Sequence, residues 1–397
     1  TIHIFYYVLL LLNILAFFLL YITGKNNRKR KNNAVDILDN ILFVFFTKYV
    51  ILYFEENDIY RFRKNIHTFL QGVSERTVYM KFSCEKAVLM AAVSAASRTV
   101  TTRTSIPALE GLLVEASNTT VTLTGYNLAT GIRAIINTNT EEQGRVVINA
   151  RLLSDIVRRS PDDYLTISSD DKLTVTISSG MSQFTLIGLS PSDFPALPEM
   201  ENDITLSIPQ NTLKSMISMT SFAISDNENK PVHTGSLFDI SGGRLNLVSV
   251  DGYRLAIRRE EVLASKDNFS FVVPGAALRE VERLCSEDDE KMSITLGQRH
   301  ITFDMGDVIL ISRLLEGEFL KYDTAIPQNC QFRVTADTKE LQQAVERVSL
   351  IISERLKNPV RCLFEDGRLK LGCNTSIGRA NDEIAISGNG GDIEIGF

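Results

Sequence analysis

The chain has 397 residues, 44% of them hydrophobic and 23% charged, with 42 basic against 48 acidic side chains. These proportions exclude a disordered, collagen-like or disulfide-built chain and leave room for two to four ordinary domains. The averages conceal a step near residue 80, because residues 1–79 hold 16 of the 32 aromatics but only two of the 23 glycines, Gly24 and Gly72. The same segment carries ten basic and six acidic groups, so the remaining body has a net charge of −10. An acidic body argues against strong non-specific DNA affinity from overall charge, while leaving room for a local basic surface. The five cysteines, Cys84, Cys285, Cys330, Cys362 and Cys373, are far apart with no C-x-x-C and no metal spacing. They read as free thiols in a reducing, cytoplasmic compartment.

At the N-terminus, Ile4 to Ile22 is an apolar run interrupted only by Asn13 and followed by Lys25, Arg28, Lys29, Arg30 and Lys31. Such a run is long enough to cross a hydrocarbon core with its basic flank inside. A second stretch, Ile41 to Phe54, contains Lys48 and is too short for a span. The palette of Phe, Tyr, Ile, Leu, Asn and Lys is what AT-rich non-coding DNA gives on translation, and the chain opens on Thr1. Residues 1–79 are therefore expected to be an upstream read-through outside the fold, with Met80 the start; a hydrophobic anchor is the alternative.

Beyond Met80 the chain repeats itself. Val121-Thr122-Leu123 leading to Asn127, Leu245-Asn246-Leu247 leading to Asp251, and Leu369-Lys370-Leu371 leading to Thr375 are spaced by 124 residues in both steps. Equal spacing of one hairpin pattern points to three copies of one unit. Each copy opens with a helix-like segment, Glu85 to Ala96, Pro209 to Ser221 and Thr338 to Ile351. Pro209 suits a first helical turn, and Asp337 or Thr338 can cap the third helix. A second helix is expected over Ala150 to Arg159 and Gly275 to Cys285, each after a β-rich stretch, Arg145 to Ile148 and Phe269 to Val273. Strands separated by turn residues are expected at Leu165 to Ile167, Leu173 to Ile177, Ser293 to Leu296 and His300 to Phe303. The fold class is thus α+β, three repeated domains each with two helices packed on antiparallel sheets.

Asp193-Phe194-Pro195-Ala196-Leu197-Pro198 and Glu318-Phe319-Leu320-Lys321-Tyr322 end the first two copies alike and read as linkers. The expected domains are 80–200, 201–327 and 328–397. The period places the third copy's second helix near residue 398, so that copy is expected to be incomplete, about 54 residues short of a full repeat.

No catalytic constellation emerges. His3, His67, His233 and His300 are scattered, and Asp162-Asp163, Asp170-Asp171 and Asp288-Asp289 sit at polar breaks where acidic turn residues are common. Gly388-Asn389-Gly390-Gly391 lacks the strand-to-helix context of a phosphate loop. No cofactor, metal or catalytic residue is expected. The helices instead repeat basic side chains: Arg151 with Arg158, Arg279 with Arg283, Lys339 with Arg347, and Lys86 and Lys214 on the first helices. Set on an acidic body, this suggests positive charge concentrated on the helices.

Arg103-Thr104-Ser105-Ile106-Pro107-Ala108-Leu109, Asp193-Phe194-Pro195, Val250-Asp251-Gly252-Tyr253-Arg254-Leu255-Ala256 and Glu394-Ile395-Gly396-Phe397, in this order on a threefold repeat, carry a resemblance. From Met80 to Phe397 the chain resembles the bacterial DNA polymerase III subunit beta, the sliding clamp, a family with no counterpart to residues 1–79. The resemblance implies a homodimeric ring with helices lining the hole, a non-catalytic processivity factor that encircles duplex DNA irrespective of sequence. Topology rather than tight contact would hold it there, tethering the replicative polymerase at high effective concentration. It also implies partners that include the clamp loader and other short-motif proteins, with no membrane attachment. By the same resemblance Arg103, Arg151, Asn227 and Lys230 match DNA-contact positions. Arg279 stands in for a basic pair that Gly275-Ala276 replaces. A partner-peptide pocket would use Gly252, Tyr253, Arg254 and Leu255 with Leu320, Tyr322 and Ala325, where Leu320 replaces a proline seen in relatives. At the subunit interface Phe184 would pack near Ile351 and Ile352 of the other chain. The competing class of function is a membrane-anchored, β-rich interaction protein that uses Ile4 to Ile22.

Overall fold

A computed structural model describes residues 80–397 apart from Arg103, 199–203, Asp267, 353–357 and Gly390. The first copy runs β1 (Met80–Glu85), α1 (Lys86–Ala96), β2 (Gly111–Ala116), β3 (Thr120–Tyr126), β4 (Thr130–Asn137), β5 (Asn139–Glu142), β6 (Gly144–Asn149), α2 (Ala150–Arg159), β7 (Tyr164–Ser169), β8 (Thr174–Ser179) and β9 (Ser182–Ile187). The second repeats this order: β10 (Ile204–Pro209), α3 (Gln210–Ser218), β11 (Gly235–Ser241), β12 (Arg244–Val250), β13 (Leu255–Glu261), β14 (Leu263–Ala264), β15 (Phe269–Pro274), α4 (Gly275–Leu284), β16 (Lys291–Leu296), β17 (His300–Asp304) and β18 (Val308–Arg313). After a single turn, α5 (Tyr322–Ala325), the third copy follows with β19 (Arg333–Ala336), α6 (Thr338–Ser349), β20 (Arg361–Glu365), β21 (Arg368–Thr375), β22 (Gly378–Asn389) and β23 (Ile393–Gly396).

The three apolar-x-apolar motifs found in the sequence are β3, β12 and β21, and each is the first arm of an antiparallel hairpin, with β4, β13 and β22. The strand run β4-β3-β2-β6 of the first copy recurs as β13-β12-β11-β15 in the second. The register recurs with it: Leu113 faces Thr124 and Val147, and Leu237 faces Val248 and Val272. In the third copy the long β22 pairs with both β21 and β19, giving one five-stranded sheet, β19-β22-β21-β20-β23.

The cores follow from the alternation of these strands and the 3.6-residue period of the helices. Phe82, Leu89, Leu112, Leu123, Leu153 and Leu165 are fully buried in the first copy. Leu213, Phe238, Leu245, Leu247, Leu278 and Val281 are buried at corresponding depth in the second. In α2 the Asn149 side chain accepts from the Leu152 N–H, fixing the N-terminus, and Leu153, Ile156 and Val157 face inward while the arginines face out. Asp337 caps α6 by accepting from the N–H groups of Lys339 and Glu340, as its sequence position suggested. Pro209 differs from expectation: it stays extended as the last residue of β10, paired with Lys291, and the helix begins one residue later. Its ring fits there because that position needs no helical N–H.

By compactness the described residues fall into two bodies, one ending at Met200 and taking in Thr302–Ile311, the other made of Glu201–Ile301 and Ser312–Phe397. Among the described residues no helix is long and apolar enough to cross a membrane. The apolar run Ile4 to Ile22 lies outside the described residues.

Candidate functional site

The basic side chains expected on the helices divide into paired and unpaired groups. Arg158 is held by Asp155, Arg283 by Glu280 at 2.8 Å, and Arg347 by Asp382 at 2.6 Å. The Arg347 hydrogen bond is the chief reason why the Asp382 carboxyl titrates below the ordinary aspartate value. Lys86 donates to the Ser160 carbonyl at 2.6 Å, and Lys214 donates to the Cys285 carbonyl at 3.3 Å while pairing with Glu287. Ser160 and Cys285 are the C-cap residues of α2 and α4, so both lysines satisfy the carbonyl end of a neighbouring helix. They are structural ties rather than a surface for phosphates. That corrects the expectation of uniformly basic helices: α2 carries three arginines against one aspartate, whereas α4 and α6 each balance two basic with two acidic residues.

Of the expected DNA contacts, Arg103 lies outside the described residues. Arg151 in the first turn of α2 and Arg279 in α4 are exposed, and neither guanidinium has a partner among the described residues. Asn227 and Lys230 are exposed on the turn that leads into Pro231–Thr234. There the Asn227 side chain accepts from the Asn229 N–H, and the Lys230 N–H donates to the Asn227 carbonyl. Four of the five expected contacts, Arg151, Asn227, Lys230 and Arg279, are thus exposed.

Two residues of the expected partner pocket, Leu255 and Tyr322, belong to one apolar cluster. Leu237, Val248, Val250, Val272, Phe319 and Tyr322 are buried together, with Val232, Leu255, Ile257, Leu315 and Ile326 half-buried against them. Its rim is the β12–β13 hairpin tip. The Asp251 side chain accepts from the N–H groups of Tyr253 and Arg254 at 3.0 and 3.1 Å and from the Arg254 guanidinium at 2.8 Å. Burial pushes the Asp251 carboxyl up, but these donors outweigh it and the net shift is downward. Gly252 has φ 95°, a left-handed conformation that a residue with a Cβ adopts only at a cost. Tyr253 is fully exposed, Arg254 lies over the Phe222 ring at 5.5 Å, and Leu255 turns into the cluster. Leu320 is 41% exposed, Ala325 is exposed, and Tyr322 is buried with its hydroxyl donating to Asp239 Oδ2 at 2.5 Å. Burial, reinforced by that bond, raises the Tyr322 phenol.

Sequence reasoning missed three members of this wall. His233 meets the Phe319 ring edge-on at 5.4 Å, and Val232 packs beside them. Burial, then the Lys230 charge, lowers the His233 imidazole and so favours its neutral form against the apolar wall. The signal lay in the repeat: Val232, His233 and Phe319 stand 124, 124 and 125 residues after Ala108, Leu109 and Phe194, the corresponding cluster of the first copy.

At the expected interface, Phe184 is 37% exposed on β9, which pairs only with β8, and Ile187 beside it is 88% exposed. Ile351 and Ile352 are half-buried and pack on the third-copy core instead of standing free. The apolar side chain presented to solvent after α6 is Leu350, 82% exposed. No group of three or more metal-ligating side chains exists among the described residues.

Family models for the DNA polymerase III beta subunit match the chain in sequence, the N-terminal domain over residues 80–198, the central domain over 207–321 and the C-terminal domain over 323–397. The chain belongs to the DNA polymerase III beta subunit family. A beta sliding clamp of Halalkalibacterium halodurans is 32% identical over 333 residues, covering 80% of this chain and 87% of that protein. Among solved structures, a putative beta subunit from Eubacterium rectale is 36% identical with a TM-score of 0.76. A sliding clamp from Pseudomonas aeruginosa bound to griselimycin is 29% identical, also with a TM-score of 0.76. Each structure covers 80% of this chain and 87% of its own. The three clamp domains expected from the 124-residue repeat are thus present.

Proposed function

We propose that this beta subunit acts as a sliding clamp, a non-catalytic processivity factor that closes as a homodimeric ring around duplex DNA and tethers the replicative polymerase. The observation that carries the reading is the run of three family matches, in order, along 80–397. The working domains are 80–200, 201–327 and 328–397, in the cytoplasm. Arg151, Asn227, Lys230 and Arg279, with Arg103, meet phosphates weakly enough to slide, since a few unpaired cations on an acidic body cannot hold DNA by charge alone. The cluster beneath Gly252, Tyr253, Arg254 and Leu255, with Leu320, Tyr322 and Ala325, takes a short apolar motif from the polymerase, the clamp loader and other partners. A Pseudomonas aeruginosa sliding clamp is bound to griselimycin, so a relative accepts a ligand. Phe184 joins Ile351 and Ile352 of the other subunit, with Leu350 as the exposed contact.

Sedimentation equilibrium of the chain tests closure. The wild type is expected to be a dimer, and Leu350→Asp, placed where the side chain is exposed and folding is unaffected, is expected to shift it to monomer. A wild-type monomer, or a Leu350→Asp dimer of equal affinity, contradicts the assignment.

A further inference from the structure

The apolar clusters of the first two copies are built from matching positions, and one of these changes chemistry. Ala108, Leu109 and Phe194 of the first correspond to Val232, His233 and Phe319 of the second. Leu109 is 1% exposed and packs among apolar neighbours. His233 is half-buried at the same place, edge-on to the Phe319 ring at 5.4 Å. Its backbone is fixed on both sides: the carbonyl accepts from the Ser225 N–H at 3.0 Å, and the N–H donates to the Lys230 carbonyl at 2.9 Å. The imidazole itself has no hydrogen-bond partner among the described residues. One titratable ring thus stands, with one side packed and the other still open to water, in a wall that the first copy builds from leucine.

The charges around it decide what a proton does there. On its own turn Asp226, Glu228 and Lys230 are exposed, as are Glu318 and Lys321 on either side of Phe319 and Leu320. Asp251 and Arg254 hold each other at the hairpin tip, and Asp239 accepts from Tyr322. No carboxylate is bonded to the ring; burial disfavours the imidazolium, and the charge that acts on it, that of Lys230, has the same sign. An uncharged ligand laid over the half-buried side removes the remaining water and offers no compensating acceptor, so it penalises the charged form further.

We infer that His233 makes the docking of a short, uncharged apolar motif proton-linked: the neutral ring completes the wall beside Val232 and Phe319, and its protonation releases the motif. The inference rests on the partner-pocket reading and adds to it a ligand preference and a release by acid. The first-copy cluster, with Leu109 in that place, has no such group.

The test is calorimetric titration of the whole chain with acetyl-Leu-Ala-Leu-Phe-amide, a peptide with no ionisable group, from pH 8 to pH 5. Asp251, whose carboxyl titrates below the ordinary aspartate value, stays ionised throughout. Affinity is expected to fall about tenfold for each pH unit below the imidazole pKa, with release of a proton on docking, read from the dependence of the heat on the buffer. His233→Leu, which carries the first copy's residue, and His233→Gln have no titrating ring and are expected to bind with an affinity that does not vary with pH. The inference is overturned if wild-type affinity is constant or rises toward pH 5, if no proton is released, or if either variant keeps the dependence. A peptide that binds none of the three proteins at pH 8 overturns the pocket reading and this inference with it, whereas binding that ignores pH overturns the inference alone.

Discussion

The first and second copies have the same strand order, the same register and the same helix placement, yet only the second builds a wholly apolar row across Leu237, Val248 and Ile257. Val248 and Ile257 stand where the first copy has Thr124 and Arg133, and Val250 stands where it has Tyr126. The inward rows, by contrast, are interchangeable: Leu123 and Leu247 are both fully buried at equivalent points. The copies share one buried layer of the sheet and differ in the chemistry of the other, at Thr124 and Val248 above all. A packed interior tolerates few volumes.

The comparison breaks most sharply in the core. Leu123→Ala and Leu247→Ala are each expected to cost about 2–5 kcal/mol, because both remove a fully buried side chain from a packed site. Urea unfolding followed in the two variants checks this, and a cost confined to one copy would mean that the cores are not equivalent. Tyr322→Phe is expected to cost about 1–3 kcal/mol by leaving Asp239 without its phenolic donor.

The hairpin tips sharpen the same contrast. Asn127 and Asp251 cap their tips alike, accepting from the N–H groups two and three residues on, and Thr375 accepts from the Ile377 N–H in the third copy. The second residue of the tip is Gly252 at φ 95° in one copy and Leu128 at φ 72° in another. Leu128→Gly is therefore expected to gain, and Gly252→Leu to lose, about 1–2 kcal/mol. Nothing lies within 4 Å of a Cβ built at Gly252, so the loss would be one of backbone alone.

The pH dependence has a definite sign. The Asp251 and Asp382 carboxyls both titrate below their ordinary value in the folded chain, so the stability they add is present above that value and is lost as pH falls through the depressed folded value. Thermal melts between pH 7 and pH 3 are expected to show loss in the acid limb, and Asp251→Asn and Asp382→Asn are each expected to flatten it. The smallest effect concerns DNA. Arg279→Gln is expected to lower the salt slope of DNA binding by about 1, whereas Arg283→Gln, whose guanidinium Glu280 already holds, is expected to change it less.

Much of this architecture was legible in the sequence, because a 124-residue period in an apolar-x-apolar motif is a property of the strands themselves. The cap Asp337 and the helix α2 were readable for the same local reason. The charge partners were not: Asp382 reaches Arg347 across 35 residues, and the Lys86 tie to Ser160 spans 74, distances that no helical periodicity encodes. Leu350, Ile351 and Ile352 are equally apolar in sequence, and only the end of the helix decides that Leu350 faces out while the other two pack on the third-copy core. His233 and Phe319 were within reach of the repeat, had its period been applied to the first-copy cluster as well as to the strands.

The central claim is that topology, not affinity, keeps this clamp on DNA. It is tested most directly by loading the labelled chain onto a nicked circular plasmid with clamp loader and ATP, isolating the complex, and cutting the circle once with a restriction enzyme. The account predicts long retention before the cut and rapid loss through the free ends after it. Equal retention on the circle and on the cut DNA would contradict it.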